Sequence, residues 1–184
     1  RVLIITDPFV VQSGMVNLIT APLSSAGIEY DIFCDVVPDA PLNKIAEGVK
    51  KFLLTTLLRQ AEALEKYQEV GESGTAGESD KVGLWHTLLD DPDSYLETSA
   101  SCAFAYGILK AVRKGYLPAR FARVGEKAVM GVMEQIAEDG TVNGVSYGTP
   151  VFATLQEYKE VPICPMPYGQ SMALMMLVEA YRMR

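Results

Sequence analysis

Histidine is nearly absent: His86 is the only one in 184 residues. A catalytic zinc site normally draws on three protein ligands, so a lone histidine is a poor basis for a metal centre. Cysteine is scarce as well. Cys34, Cys102 and Cys164 are odd in number and widely spaced. They make no disulfide framework and point to a reducing, cytoplasmic setting. Positive charge is in deficit, with 16 Lys and Arg against 23 Asp and Glu and a formal charge of −7. Phosphate binding needs a basic face, so nucleic acid is not an expected partner. An acidic sugar would meet no long-range attraction, only a local basic site. No apolar run reaches the ~18–20 residues of a membrane-spanning helix. The opening Arg1-Val2-Leu3-Ile4-Ile5 reads as a buried strand, with no charged segment and cleavable apolar core of a signal peptide.

What is present suits a packed globular protein. Apolar residues make up 49% of the chain, and its length allows a substantial core. Val2–Thr6 and Tyr30–Cys34 are short, β-branched or aromatic runs of the kind that form covered strands. Between them, Met15–Ala26 has helical spacing, with Pro22 against one long regular helix and Gly27 as its stop. Leu42–Glu65 can be helical, with Gly48 a weak point. This order is β-α-β-α, a parallel unit if the strands pair.

Beyond it the pattern is helical. Leu54, Leu57, Leu58, Ala61 and Leu64 form one amphipathic stripe over Leu53–Gln68. Gly71–Lys81 is polar and glycine-rich, a linker or loop. Helices are expected over Ser94–Gly115, Pro118–Ala137 and Pro167–Arg182. Asp139-Gly140 and Asn143-Gly144 are turn pairs, so Glu138–Phe152 reads as a turn and short hairpin.

Two resemblances divide the chain near residue 52. RVLIITDPFVVQSGMVNLITAPLSSAGIEYDIFCDVVPDAP, followed by IAEGVKKF, resembles the N-terminus of iron-dependent alcohol dehydrogenases. There the segment starts a dinucleotide-binding domain, and Thr6 and Asp7 match positions near the cofactor. Cys34 stands where many members carry a ribose-binding Asp. That family also needs a glycine-rich phosphate loop and an iron site of one Asp and three His. This chain has no Gly-Gly-Gly run and one His, so neither cofactor nor metal is expected.

GLWHTLLDDPDSYLETSASCAFAYGILKAV, then GVSYGTPVF, then YKEVPICPMPYGQSMALMMLVEA resemble the C-terminal part of unsaturated rhamnogalacturonyl hydrolases, glycoside hydrolase family 105. The resemblance implies helical hairpins from an incomplete (α/α)6 barrel over residues 53–184. It also implies removal of a 4,5-unsaturated uronic acid from pectin-derived oligosaccharides. In that chemistry an Asp of raised pKa protonates the vinyl ether and water adds. The family's catalytic Asp lies upstream of every matching motif, so no residue here takes that role.

The fold class expected is therefore mixed: a β-α-β-α unit at 1–52, then partial barrel hairpins at 53–184. Trp85 and His86 lie where the family's loop faces sugar. An indole can stack on a ring and an imidazole can donate to a carboxylate. The alternative is a packing anchor and a backbone cap. Tyr147 and Tyr168 are further pocket candidates, against the commoner buried tyrosine with one bonded hydroxyl; Tyr95 is weighed in the same way. Asp90, Asp91, Asp93 and Glu97 crowd a helix start, as an acid pair with split pKa values or as helix-dipole partners. Cys102 reads as a small core residue, and Met172, Met175 and Met176 as packing.

The leading functional reading is a glycoside hydrolase-like chain that is incomplete, with an unsaturated oligosaccharide as its partner. A catalytically silent fusion or scaffold is the alternative, and an NAD(P)-dependent dehydrogenase fragment a third. Too few helices are present to close a barrel. The Ala100–Val112 and Met172–Val178 helices are therefore expected to find cover on the N-terminal unit or a second copy, the latter giving self-association.

Overall fold

The computed structural model describes residues 1–37, 42–69 and 83–184. The linker expected at Gly71–Lys81 lies outside them. The chain divides into two compact units, Arg1–Arg59 and Gln60–Arg184.

In the first unit, β1 (Val2–Ile5) pairs parallel with β2 (Tyr30–Phe33). Val2 stands opposite Tyr30 and Ile5 opposite Phe33. Ile4 and Phe33 are the buried positions of the two strands, as expected where apolar side chains alternate inward. The connection holds two helices, α1 (Pro8–Gln12) and α2 (Asn17–Ser25). Asp7 starts α1: its carboxylate accepts the Val10 N–H at 3.0 Å, and Pro8 fills a first-turn position that needs no donor. Met15–Ala26 shows helical spacing with Pro22 against one long regular helix; the helix runs over Asn17–Ser25 and keeps Pro22 inside it.

A single helix, α3 (Leu42–Tyr67), replaces the two overlapping helical stretches read from sequence. Gly48 is no break in it. A Cβ there would stand 2.6 Å from a ring carbon of Phe33, so the glycine lets α3 pass close over that ring.

The second unit is built on α4 (Thr98–Arg113), with α5 (Ala122–Met133), α6 (Leu155–Lys159) and α7 (Pro167–Tyr181). A single 3₁₀ turn, Ala119–Phe121, leads into α5. α4 packs against both α5 and α7. Its Cys102, Ala105, Ile108 and Leu109 meet a core that includes Phe121, Val124, Ala128, Val132, Ala173 and Met176. Each fully buried large apolar side chain contributes about 1.5–3 kcal/mol. Cover for α4 and α7 was expected on the N-terminal unit or a second copy; within this unit they pack on each other, burying Ala173 and Met176, while Leu174, Met175 and Val178 of α7 stay exposed. α7 is apolar nearly all round, which is why sequence spacing alone did not show which side faces α4.

Two further expectations are corrected. The helix read from Ser94 begins only at Thr98, because residues 86–97 form a loop closed by a bridge between His86 and Leu96. The hairpin expected at Glu138–Phe152 contains no strand. Asp139 closes a tight turn by accepting the Thr141 N–H at 2.9 Å, and Ile136 bridges Val142. Ser146 then bridges Ile163 instead of a near neighbour. Among the described residues, strands occur only in the first unit.

Candidate functional site

Within the second unit, the loop 86–89, the N-terminal half of α4, the 146–149 segment and the start of α7 enclose a cleft of about 550 Å³. Its wall includes His86, Glu97, Ser99, Ser146, Tyr168 and Met172. That is polar chemistry on an apolar floor, the usual make-up of a small-molecule site.

Of the four residues singled out from sequence, the cleft brings two together. His86 contributes its ring. Its Nδ1 lies 2.5 Å from the Ser94 carbonyl oxygen. That oxygen can only accept, so Nδ1 carries a hydrogen. Nε2 faces a Glu69 carboxylate oxygen at 3.3 Å, and a second proton there makes the contact an ion pair. Tyr168, near the start of α7, donates its hydroxyl to the Ser146 carbonyl.

Trp85 is a correction. It is 0% exposed, so neither ring face is open to stack on a sugar. Its indole N–H donates to the Leu64 carbonyl at 2.8 Å, and its ring meets Phe104 edge-on at 5.5 Å. It anchors the loop that carries His86. Tyr147 is 64% exposed but is not part of the cleft wall, although Ser146 and Gly148 on either side of it are.

The acidic cluster also separates. Only Glu97 reaches the helix start, where its carboxylate accepts the Ala100 N–H at 2.5 Å. Asp91 stays in the preceding loop and pairs with Lys159 at 2.6 Å. That hydrogen bond holds its carboxyl below the usual aspartate range. A split acid pair between Asp90 and Asp91 is not supported by this geometry, since Asp91 is already neutralised by Lys159. Burial pushes the Cys102 thiol up to about 12, with the Glu97 charge adding to it. Cys102 therefore stays protonated and packs as a core residue. Among the described residues, no group of three or more His, Cys, Asp or Glu is placed to hold a metal ion. No helix among them is long and apolar enough to cross a membrane.

Sequence reasoning missed Ser99 and Ser146 as wall residues, and Glu97 as more than a dipole partner. Glu97-Thr98-Ser99 at a helix start is a visible capping signal. The approach of Ser146 from 49 residues away leaves no local trace.

Residues 33–184 match the family model described as Glycosyl Hydrolase Family 88. The chain belongs to that family. Unsaturated rhamnogalacturonyl hydrolase YesR from Bacillus subtilis (strain 168) is 38% identical over 104 residues, which are 56% of this chain and 28% of that protein. A solved structure of a possible GH105 family member from Salmonella enterica serovar Paratyphi A superposes with a TM-score of 0.64 at 46% identity. It covers 71% of this chain and 32% of that one. A second, from Klebsiella pneumoniae, gives 0.65 at 42% identity over 79% of this chain and 34% of its own. The family 88 chain thus spans about a third of the length of these relatives. At the other end, residues 1–54 match the iron-containing alcohol dehydrogenase family. Long-chain-alcohol dehydrogenase 1 of Geobacillus thermodenitrificans is 44% identical there over 42 residues, 11% of its length. The two family matches overlap across residues 33–54. The two ends of the chain thus match two different families, as the motifs suggested, and the largely helical chain superposes on about a third of solved structures of GH105 type.

Proposed function

We propose that this chain holds one wall of a saccharide site for 4,5-unsaturated uronyl oligosaccharides of the rhamnogalacturonan type, and binds such sugars without turning them over. The cleft carries this reading. His86 presents its ring at the cleft wall, and Tyr168 and Ser146 bring hydroxyls to the same wall. The relationship to an unsaturated rhamnogalacturonyl hydrolase supports the substrate class. Hydrolysis needs an acid that protonates the double bond. Two of the acids in or beside the cleft are committed elsewhere: Glu97 to backbone donors and Asp91 to Lys159.

The test is titration of the ¹⁵N-labelled chain with an unsaturated galacturonyl-rhamnose disaccharide. Affinity near the millimolar level, about −4 kcal/mol, is expected for a partial site. Shifts should concentrate at His86, Ser146 and Tyr168. In parallel, absorbance of the conjugated double bond should not decay above the uncatalysed rate. Turnover abolished by Asp91→Asn would show that a working acid is present. Shifts scattered over the surface would leave the scaffold reading in place.

A further inference from the structure

Glu97 is a buried carboxylate, 4% exposed, bonded to more than its own helix. Its Oε2 accepts the Ala100 N–H at 2.5 Å, which caps α4. The Ser99 hydroxyl lies 2.9 Å from both oxygens. Its Oε1 reaches across to accept the Ser146 N–H at 2.9 Å. The Ser146 carbonyl in turn accepts the Tyr168 hydroxyl. A cap needs only the first of these bonds. The remaining ones join three elements of the cleft wall: the start of α4, the 146–149 segment and the start of α7.

We propose that Glu97 is a positioning residue, whose carboxylate fixes Ser146, and through it the Tyr168 ring, at the cleft wall for a bound saccharide. Other bonds hold the residues around Ser146: Thr98 N–H donates to the Gly144 carbonyl, and Tyr147 N–H to Pro162 and Cys164 N–H to Val145 make the Ser146–Ile163 bridge. None of them takes the Ser146 N–H, which goes to Glu97. A buried hydrogen bond to a carboxylate is stronger than one between neutral groups, so the Glu97 bond adds to that bridge a strong hold on the Ser146 N–H. The link to a saccharide rests on the function proposed above; the link between Glu97 and Ser146 does not.

Two variants separate positioning from capping. Glu97→Asp keeps a favoured cap residue but shortens the side chain, so it holds Ala100 and cannot span to Ser146. The Ser146 amide should then exchange with solvent at least ~10-fold faster, as loss of one such bond predicts. The Cys102 and Ala105 amides of α4 should change by less than about twofold, because local opening need not involve the helix. Glu97→Gln keeps the shape, but its amide nitrogen can only donate. One of the two amides, Ala100 or Ser146, should lose protection while the other keeps it. This variant serves if the shorter one fails to fold. Unchanged Ser146 exchange in both variants overturns the proposal. So does uniform acceleration across α4, which would make Glu97 a fold determinant only. Disaccharide titration supplies the second readout: binding to Glu97→Asp should weaken ~10-fold, about 1.4 kcal/mol, and unchanged affinity removes the saccharide part of the proposal. If the unaltered chain binds no disaccharide, the proposed function fails, and amide exchange alone decides whether Glu97 positions the wall.

Discussion

Gly83→Ala will melt about 6–12 °C below the unaltered chain, taking a cost of about 3 kcal/mol and 2–4 °C per kcal/mol for a chain of this size. Gly83 has a φ of +98°, where an alanine is strained. A Cβ there would also stand 2.3 Å from the Lys127 carbonyl oxygen and 2.6 Å from its carbon. These are backbone atoms of α5 and cannot swing aside, so overpacking adds to the strain. The position is held from both sides. Gly83 N–H donates to the Glu69 carbonyl at 2.7 Å, and the Gln68 side chain bonds both Gly83 and Val124 carbonyls at 2.8 Å. Trp85, the only tryptophan, is buried two residues away and reports the melt by fluorescence. Gly115→Ala is the control, since its φ is +69° with nothing within 4 Å of the added carbon. If both variants melt together, the close approach of residue 83 to α5 is wrong.

The same contact shows why parts of this fold were legible in sequence and others were not. Val2–Ile5 and Tyr30–Phe33 announce themselves because β-branched and aromatic residues crowd into four positions, and the strands pair in the structure. α4 and α7 were legible as helices from composition alone. Their starting points were not, because Ser94 satisfies its hydroxyl within the loop, at 2.7 Å from the Asp91 carbonyl, and so delays the helix to Thr98. Asp139-Gly140 gave the turn but no hairpin. Turn chemistry sets a local reversal, whereas the partner of Ser146 is Ile163, chosen by packing seventeen residues on.

The site divides along the same line. His86 and Tyr168 were named because their side chains have sugar-binding chemistry and they fall in motifs shared with a hydrolase family. Trp85 was named for the same reason, and burial removed it. Whether an indole lies in a wall or behind it depends on a neighbour, Phe104, whose own sequence context says only that it is apolar. The role of Glu97 was hidden for a related reason: one of the donors it accepts, the Ser146 N–H, becomes visible only when the 146 segment folds back on α4.

Arg113→Met is the second variant with a large expected effect, and its pH dependence identifies the cause. Glu179 on α7 is 1% exposed and takes two hydrogen bonds from the Arg113 guanidinium on α4. Methionine preserves much of the aliphatic stem that packs beside α7 but leaves a buried carboxylate without its main partner. Arg182 remains at 3.8 Å, so the loss falls at the low end for a broken buried pair, about 3 kcal/mol. The Arg113 hydrogen bond holds the Glu179 carboxyl below the ordinary glutamate value of 4.5, against burial that pushes it up. A depressed folded value stabilises the protein above the unfolded one and loses that contribution as pH falls through the folded one. In Arg113→Met the largest lowering cause is gone and burial still raises the group, so protonating it relieves the variant. The melting gap between the two proteins should be widest near neutral pH and shrink as pH falls through the variant's raised Glu179 value towards the depressed value of the unaltered chain. Glu65 and Asp91, which Arg120, Arg123 and Lys159 also hold low, are common to both proteins and cancel in the comparison. A gap that stays constant from pH 7 to the acid side would mean that the arginine contributes by packing alone.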